Sequence, residues 1–312
     1  MTHQVRRVDP ADFDWSAPPG VAAELRSVLA AAAAADGAAA LDEAALLALR
    51  HRGVADSTLL VTGEPVTGAA WLREDDLAVV VTPEARGEGR GGALAAAALH
   101  GREGDDLTAW SHGNHPAAAA LAGRLGFDRV RDLWVMRRPL APDTLPPLGT
   151  VDGVAVRTFR PGHDEEAFLA LNAEAFAHHP EQGRMTRADL DERMAEPWFD
   201  PAGFFVAEHQ PARTTDPADG ARGLVGFHWT KVHDEGHPHG EVYVVGVSPR
   251  AQGSGLGRLL TLAGLHHLAA RGLDEVVLYV ESDNTPAVAV YSRLGFTHAD
   301  ADTHVQYRRP SA

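Results

Sequence analysis

The feature that most constrains the fold of this 312-residue chain is an internal repeat. Five blocks of the first half recur in the second half in the same order, with a spacing that drifts only from 158 to 171 residues. The paired blocks are residues 66–71 with 224–229, 79–83 with 245–249, 86–91 with 252–257, 114–127 with 284–296, and 137–139 with 308–310. Repeats of this length are whole domains rather than solenoid units. The chain is therefore predicted to be a tandem duplication.

The repeat predicts an N-terminal domain at 1–140, a linker at 141–150 and a C-terminal domain at 151–312. A proline-rich run at 139–149 is typical of such a stiff linker. In the second half, the sequence pattern predicts strands at 154–159, 204–208, 223–233, 241–247, 276–281 and 303–309, and helices at 164–177, 186–194, 255–271 and 285–294. This order favours an α/β fold class, in which each domain has a mixed, mostly antiparallel sheet flanked by helices. In the first half, an alanine-rich run is predicted to end a helix at Asp36-Gly37.

Composition excludes several classes of protein. The chain has 43 acidic against 28 basic residues, a net charge of −15, which disfavours nucleic acid as a partner. The absence of cysteine excludes disulfides, thiolate metal sites and a cysteine nucleophile. No apolar run reaches the roughly 18 residues that a membrane span needs, and the first residues lack the apolar core of a signal peptide. We therefore expect a cytoplasmic protein, monomeric, with no membrane partner.

A glycine-rich loop follows the strand predicted at 241–247. The strand ends at Ser248-Pro249, and Gln252-Gly-Ser-Gly-Leu-Gly257 leads into a helix. Glycines let backbone N–H groups converge on a ligand, and a helix N-terminus adds partial positive charge, so the loop suits a pyrophosphate. The simpler interpretation is an ordinary strand-to-helix turn. A dinucleotide-binding unit is disfavoured, because it requires a parallel βαβ unit and an acidic residue about 20 positions downstream.

The two loops, at 252–257 and 86–91, fit the pattern Q/R-x-x-G-x-G/A, and Asn284…Tyr291…Leu294-Gly-Phe296 follows the second of them. In these features the chain resembles the GNAT acyltransferases. The resemblance implies acetyl-CoA as a co-substrate, bound in the second half by Val245, Gly246, Val247, Gln252, Gly253, Ser254, Gly255, Leu256, Gly257, Arg258, Asn284, Thr285, Pro286, Ala287, Val288 and Ala289. The matching residues of the first half are Val79, Val80, Val81, Gly87, Glu88, Gly89, Arg90, Gly91 and Gly92, although Glu88 places a negative charge where a pyrophosphate would bind.

Longer runs of the second half, at 175–183, 196–201, 226–233, 240–247 and 278–284, resemble the mycothiol synthases, a family of tandem GNAT acetyltransferases. The resemblance implies transfer of an acetyl group from acetyl-CoA to the cysteinyl amine of cysteinyl-glucosaminyl-inositol. It also implies that the acceptor is bound by Glu43, Glu181, Lys231, Glu241 and Tyr279. Carboxylates suit an ammonium group and sugar hydroxyls, and a lysine can donate to hydroxyls.

Acetyl transfer to an α-amino group needs a base, because the pKa of that group is about 7.7 to 8.0. Glu241 is the candidate base, acting through a water, and the alternative is a salt-bridged carboxylate at a strand end. Tyr291 is the candidate acid for the departing thiolate, and the alternative is a core tyrosine. The first half has Asp75 near the position of Glu241 but Leu121 or Ala122 at that of Tyr291, so only the second half is expected to be catalytic.

Two alternatives stay open at this point. The acceptor could be another amine, such as an aminoglycoside or a peptide N-terminus, or the chain could be a non-catalytic acyl-CoA sensor. Four histidines, His228, His233, His237 and His239, could suggest a metal site, but a hairpin loop explains them and we expect no metal. Trp198 and Phe199 are interpreted as core or cleft-wall residues.

Overall fold

The computed structural model of the chain describes residues 4–17, 19–177, 182–209, 223–234 and 238–311. It divides into two compact units, which are described separately below. The first unit comprises residues 1–135, 281–284 and 298–312, and the second comprises 136–280 and 285–297. No helix in the described ranges is long and apolar enough to cross a membrane.

The elements follow one another in two similar series. The first series is β1 (Val5–Arg7), α1 (Val21–Asp36), α2 (Glu43–His51), β2 (Ser57–Thr62), β3 (Gly68–Arg73), β4 (Asp76–Val81), α3 (Arg90–Ala98), β5 (Leu107–Ser111), α4 (Pro116–Arg124) and β6 (Asp128–Pro139). The second is β7 (Val154–Thr158), α5 (Glu165–Ala175), α6 (Arg187–Met194), β8 (Phe204–His209), β9 (Leu224–His233), β10 (His239–Val247), α7 (Leu256–Ala270), β11 (Glu275–Glu281), α8 (Thr285–Arg293) and β12 (Thr297–Arg309). The predicted order of the second half is confirmed.

Local signals account for where several elements begin and end. Helix α1 ends at Asp36, as predicted, because Gly37 adopts the left-handed conformation (φ 70°) and its N–H donates to the Ala33 carbonyl at 2.9 Å. Strand β12 begins at Thr297, six residues before the predicted start. Its first six residues are mostly exposed and polar, so they carry no alternating apolar pattern that sequence analysis could detect.

In the first unit, the strand order is β1-β2-β3-β4-β5-β12, with the N-terminal part of β6 next to β12. The described pairs are antiparallel except for β4 and β5, which are parallel. Helix α3 packs on one face through Leu94, and α1 and α2 pack on the other through residues such as Leu25 and Leu49. The sheet therefore separates two hydrophobic cores.

The second unit repeats this plan with the order β7-β8-β9-β10-β11. Its strands are antiparallel except for β10 and β11, which are parallel. Helices α5 and α6 cover one face over a cluster of aromatic side chains that includes Phe168, Phe227 and Trp229. Helix α7 covers the other face through Leu256 and Leu260. The mixed, mostly antiparallel sheets predicted from the sequence are confirmed in both units.

The division into units differs from the predicted ranges 1–140 and 151–312 at the terminal strands. Strand β12, at the end of the second repeat, pairs with β5 of the first unit, from Val305 opposite Ser111 to Arg309 opposite Leu107. Val305 and Tyr307 are buried in the same core cluster as Leu107. The C-terminal part of β6, from Met136, lies in the second unit. Each unit therefore contains a strand, or part of one, from the other half of the sequence.

Candidate active site

Strands β10 and β11 pair over only part of their length. The described parallel pairing runs from Gly240 opposite Val276 to Val242 opposite Leu278, whereas β10 continues to Val247. A shift in register between Val242 and Val244 marks a bulge in the pairing of β10 with β9, and a bulge bends the strand that carries it. An extended ligand can lie along a strand edge and pair with its backbone groups. The segment Val245–Val247, predicted to bind acetyl-CoA, lies on this continuation of β10.

The glycine loop that follows β10 ends in a helix N-terminus suited to an anion. Gly253 and Gly255 have φ values of 78° and 85°, which L side chains rarely adopt. Gly255 is the N-cap of α7 and makes no side-chain cap hydrogen bond, and the Leu256 N–H donates to Ser254 Oγ at 3.4 Å. A helix N-terminus favours an anion through its N–H groups and its partial positive charge. Arg258 lies exposed in that first turn. Arg250 is 80% exposed, 3.3 Å from the Glu174 carboxylate.

Glu241 lies on the face of the sheet that α5 and α6 cover. Its neighbour Gly240 faces Leu268 of α7, and successive residues of a strand face opposite sides. Although it is a charged residue, Glu241 is only 6% exposed. Its Oε2 is 2.6 Å from Nε2 of His233, and its cross-strand partner is Lys231. The structure therefore brings two of the predicted acceptor residues together, Glu241 and Lys231.

Aromatic rings hold the Lys231 ammonium group. Its Nζ lies 4.6 Å from the ring centroid of Trp198 and 5.5 Å from that of Tyr243, distances at which a cation is attracted to the face of a ring. The Tyr243 hydroxyl accepts a hydrogen bond from Arg193 Nε at 2.8 Å, which fixes the second ring. Trp198 also contacts Trp229 in the core, so its indole is both a core residue and the platform for Lys231.

Tyr291 lies on α8, the helix that follows β11. Its ring is half-buried and meets Phe296 edge-on at 5.9 Å. Desolvation by the surrounding protein raises the pKa of the phenol to about 12, so the hydroxyl keeps its proton at neutral pH and can donate it. The residues on the preceding turn, Ala287 to Ala289, are also only half-buried, which leaves this helix face accessible to a ligand.

The first unit has the same loop conformation but different side chains at the positions that correspond to the predicted base and acid. Gly87 and Gly89 have φ values of 79° and 89°, and Gly89 is the N-cap residue of α3 and makes no side-chain hydrogen bond to the helix. In the first unit the Phe127 N–H donates to the Ala122 carbonyl, just as the Phe296 N–H donates to that of Tyr291 in the second. Ala122 is therefore the counterpart of Tyr291, and it has no hydroxyl.

The charged groups around the first loop are already paired within that unit. Arg86 donates two hydrogen bonds to the Asp36 carboxylate at 2.6 and 2.8 Å. Arg90 lies 3.0 Å from Glu88. Asp75, the carboxylate near the position of Glu241, is 71% exposed and 3.1 Å from Arg102. These contacts lower the net positive charge that the first loop offers to a pyrophosphate. Val79 to Val81 end β4, and Gly91 and Gly92 lie in the first turn of α3.

The remaining predicted residues are distributed over both units. Glu43 is the first residue of α2 and is half-buried. It follows the N-cap residue Asp42. Asp42 lines an open pocket of about 360 Å³ together with Trp71, Arg73, Trp110 and His112. Tyr279 lies in β11 and is 45% exposed. Asn284 directly precedes α8. Glu181 and His237 lie outside the described residues.

Two histidines of the predicted cluster have separate environments. His228 is fully buried, with its Nδ1 2.7 Å from the Leu260 carbonyl, and burial lowers its pKa to about 4, so it is a neutral core residue. His233 instead contacts Glu241, which sequence analysis missed. The signal was present, because a short hairpin joins His233 to the strand that carries Glu241. Among the described residues, no group of three or more His, Cys, Asp or Glu side chains is placed to hold a metal ion.

Solved structures of similar fold include a tandem protein. A tandem GNAT protein from the clavulanic acid biosynthesis pathway superposes with a TM-score of 0.70 at 20% identity, over 98% of each chain. A GCN5-related N-acetyltransferase from Sphaerobacter thermophilus superposes with a TM-score of 0.64 at 24% identity, over 100% of this chain and 97% of that one. At these identities the likeness establishes the fold alone.

Sequence comparisons identify the family. The acetyltransferase (GNAT) family model matches residues 168–296. Mycothiol acetyltransferase from Nocardioides sp. is 57% identical over 92% of this chain and 97% of its own length. The relatives of the same name from Catenulispora acidiphila and Thermobispora bispora are 50% and 51% identical, over 97% and 93% of this chain and 97% of each relative. The chain belongs to the mycothiol acetyltransferase family and is an acetyl-CoA-dependent acyltransferase with the GNAT fold.

Proposed function

We propose that this enzyme transfers the acetyl group of acetyl-CoA to the cysteinyl amine of cysteinyl-glucosaminyl-inositol, giving mycothiol and CoA. The observation that carries the proposal is the 57% identity to a mycothiol acetyltransferase over 97% of that relative's length. The site agrees with it, because the buried Glu241 carboxylate lies on β10, the strand that leads to the glycine loop, and the Lys231 ammonium group lies opposite it on β9. We expect the reaction to take place in the cytoplasm, with the enzyme as a monomer.

Acetyl-CoA would bind along the second unit. Its pantetheine would pair with the backbone of Val245, Gly246 and Val247, past the point where β10 leaves β11. Its pyrophosphate would accept hydrogen bonds from the loop that runs from Gln252 to Arg258 at the N-terminus of α7. Asn284 to Ala289 would line the opposite side of the co-substrate.

The chemical steps follow from the protonation states that the site favours. The acceptor amine is mostly an ammonium at neutral pH, since the pKa of an α-amino group is about 7.7 to 8.0. Glu241 would accept a proton through a water, and the free amine would attack the acetyl carbonyl, forming the C–N bond. Backbone N–H groups near Val245 would stabilise the tetrahedral oxyanion. As the C–S bond breaks, the Tyr291 hydroxyl would donate its proton to the CoA sulfur.

The acetyl group would pass directly between the two substrates. The chain has no cysteine that could form an acetyl-enzyme thioester. A buried carboxylate, a lysine ammonium and a half-exposed tyrosine supply the charges and hydroxyls that an amino-sugar acceptor needs, namely Glu241, Lys231 and Tyr279. We propose Glu43 and Glu181 as further acceptor contacts.

The second unit would be the only catalytic one. The first unit has Ala122 where the acid should be, and its nearest carboxylate, Asp75, is exposed and paired with Arg102. Its loop keeps the glycine conformations, so we propose that it can bind a second acetyl-CoA without turning it over. The pairs Arg86–Asp36 and Arg90–Glu88 would weaken that binding relative to the loop of the second unit.

The decisive experiment incubates the purified full-length protein with acetyl-CoA and cysteinyl-glucosaminyl-inositol. Because this acceptor carries its own thiol, the product should be followed by mass spectrometry rather than by a thiol reagent. The N-acetylated product keeps a free thiol, and an acceptor with a methylated sulfur should still be acetylated. Glucosaminyl-inositol, which lacks the cysteinyl amine, is the matched control.

The outcomes separate the alternatives. Acetylation of aminoglycosides or peptide N-termini, but not of the cysteinyl compound, would replace the acceptor while keeping the chemistry. Binding of acetyl-CoA without transfer to any of these amines would indicate an acyl-CoA sensor instead of an enzyme.

A further inference from the structure

We propose that His233 is a positioning residue for Glu241, holding one oxygen of the carboxylate so that the other faces the acceptor amine. The inference rests on the proposed function, in which Glu241 is the base. The observation behind it is the 2.6 Å contact between His233 Nε2 and Glu241 Oε2, which joins a partly exposed imidazole to a nearly buried carboxylate.

The register of the hairpin explains why these two side chains meet. Strands β9 and β10 are antiparallel, with Glu241 opposite Lys231 and His239 opposite His233. Lys231 and His233 are two residues apart and so lie on the same face, which places the His233 ring diagonally across from Glu241. The carboxylate therefore lies beside two groups able to carry positive charge, both on β9.

A second contact fixes the imidazole from its other side. The rings of His233 and His239 stack with centroids 4.5 Å apart and planes only 9° from parallel. With its ring plane set by His239 and its Nε2 directed to Glu241, the His233 side chain has little freedom to rotate. A carboxylate held in this way keeps a constant orientation, and catalytic groups depend on such orientation to within about 10–20°.

The pairing also assigns separate tasks to the two carboxylate oxygens. Oε2 accepts the hydrogen bond from the His233 ring, so Oε1 is the oxygen left for the amine or for the water that relays its proton. Glu241 has a side chain only 8% exposed, against 32% for His233. A nearly buried carboxylate with no fixed donor would be unfavourable, and the imidazole N–H supplies that donor from the solvent side.

Two substitutions of His233 test the role. His233→Gln keeps an N–H donor within reach of the carboxylate but cannot accept a proton, and His233→Leu removes the donor. We expect His233→Gln to keep kcat within about threefold and His233→Leu to lower it by about 10- to 100-fold, with KM for acetyl-CoA unchanged in both. His209→Leu, at the exposed end of β8 in the same sheet, is the matched control and should leave kcat unchanged.

Each other outcome overturns the inference. A His233→Leu enzyme with wild-type kcat would show that the contact has no catalytic consequence. A loss above about a hundredfold in His233→Gln would mean that the imidazole itself accepts the proton, because glutamine keeps the hydrogen bond but not the basicity. If His233→Leu fails to fold, which circular dichroism would reveal, His233→Ala removes the donor instead and should show the same fall in kcat, and a wild-type kcat in His233→Ala would overturn the inference.

A spectroscopic measurement tests the contact without turnover. Nitrogen-15 NMR of the histidine rings should identify His233 as the Nε2–H tautomer in the wild-type protein, since Nε2 faces the carboxylate. In Glu241→Ala the Nε2–H proton of His233 should move upfield and exchange faster with water, because its carboxylate acceptor is gone, and an unchanged signal would contradict the pairing. Failure of the wild-type protein to acetylate cysteinyl-glucosaminyl-inositol would contradict the proposed function instead, and it would leave this NMR result to be judged separately.

Discussion

Single positions in the two repeats differ in a way that accounts for the proposed catalytic role of the second unit and the proposed lack of one in the first. Tyr291 and Ala122 occupy the same place on equivalent helices, each accepting a hydrogen bond from the phenylalanine that follows the helix. Only the tyrosine offers a hydroxyl, and desolvation raises its pKa to about 12, so it stays a donor at neutral pH. The difference between the units is thus a side chain at a shared backbone position.

The role of Tyr291 can be tested by removing its hydroxyl alone. Tyr291→Phe should lower kcat by about 10- to 100-fold, because the departing thiolate loses its proton donor. KM for acetyl-CoA should stay within about twofold, since the ring and its contact with Phe296 remain. Steady-state kinetics with both substrates measures this, and an unchanged kcat would exclude the acid role. Ser292→Ala, on the exposed side of the same helix, is the control.

A histidine in the core makes a separate prediction about stability. Burial lowers the pKa of His228 from 6.5 to about 4, so folding favours its neutral form. The stability that it contributes is complete above pH 6.5 and declines as the pH falls toward 4, by about 3 kcal/mol in total. The space for the ring comes from Gly264 of α7, where a Cβ atom would lie 2.0 Å from the imidazole.

Urea unfolding at a series of pH values tests this. The free energy of unfolding of the wild-type protein should fall between pH 6.5 and pH 4 more steeply than that of His228→Leu. Other acid-sensitive groups contribute to both proteins, so the difference between the two curves isolates this residue. If the unfolding free energies of the wild-type protein and of His228→Leu change with pH in parallel, the pKa of His228 does not differ between the folded and unfolded states.

At the scale of elements, the glycine loops carry the same backbone in both units. Gly255 and Gly89 are N-caps with φ values of 85° and 89°, so alanine at either position meets the same backbone strain. What differs is the surroundings, because Glu88 and Asp36 pair with the arginines of the first loop. This gives a matched pair of substitutions.

Gly255→Ala should raise KM for acetyl-CoA by about tenfold or more, because the substitution disturbs the N–H groups that we propose hold the pyrophosphate. Gly89→Ala should leave turnover within about twofold. It should lower the free energy of unfolding by about 1–2 kcal/mol, as much as Gly255→Ala does, because both glycines have the same backbone conformation. Kinetics and thermal unfolding of both variants provide the measurement. A large loss of turnover in Gly89→Ala, with normal folding, would contradict a non-catalytic first unit.

Elements also show what sequence reasoning can and cannot predict. Local sequence patterns predicted the order of strands and helices, the end of α1 at Gly37 and the glycine loops. They could do so because capping and backbone preferences act over a few residues. The contact of His233 with Glu241 could not be predicted in this way, since it depends on the register with which β9 and β10 pair. The pairing of β12 with β5 could not be predicted from the sequence either, because the alternating pattern of a strand is the same whichever strand it pairs with.

At the scale of the whole molecule, the placement of β12 makes the two halves of the sequence depend on each other. The first unit requires β12, because Val305 and Tyr307 fill its core and the strand pairs with β5. A chain cut at the boundary of the repeat, residues 1–140, would therefore expose Leu107 and leave β5 as an open edge. Homology between the halves does not imply that each half folds alone.

Truncation and grafting test this dependence directly. Removing residues 297–312 should abolish the cooperative unfolding of the first unit, whereas removing only the residues after Arg309 should have little effect, because β12 ends there. A chain of residues 4–135 should fold when residues 298–311 are added through a short Asn-Gly turn, since His298 Nδ1 lies 3.0 Å from the Val135 carbonyl. Without that strand, the same chain should aggregate. Circular dichroism and size-exclusion chromatography distinguish these results. A folded, monomeric 1–140 chain would show that the core of the first unit closes without β12.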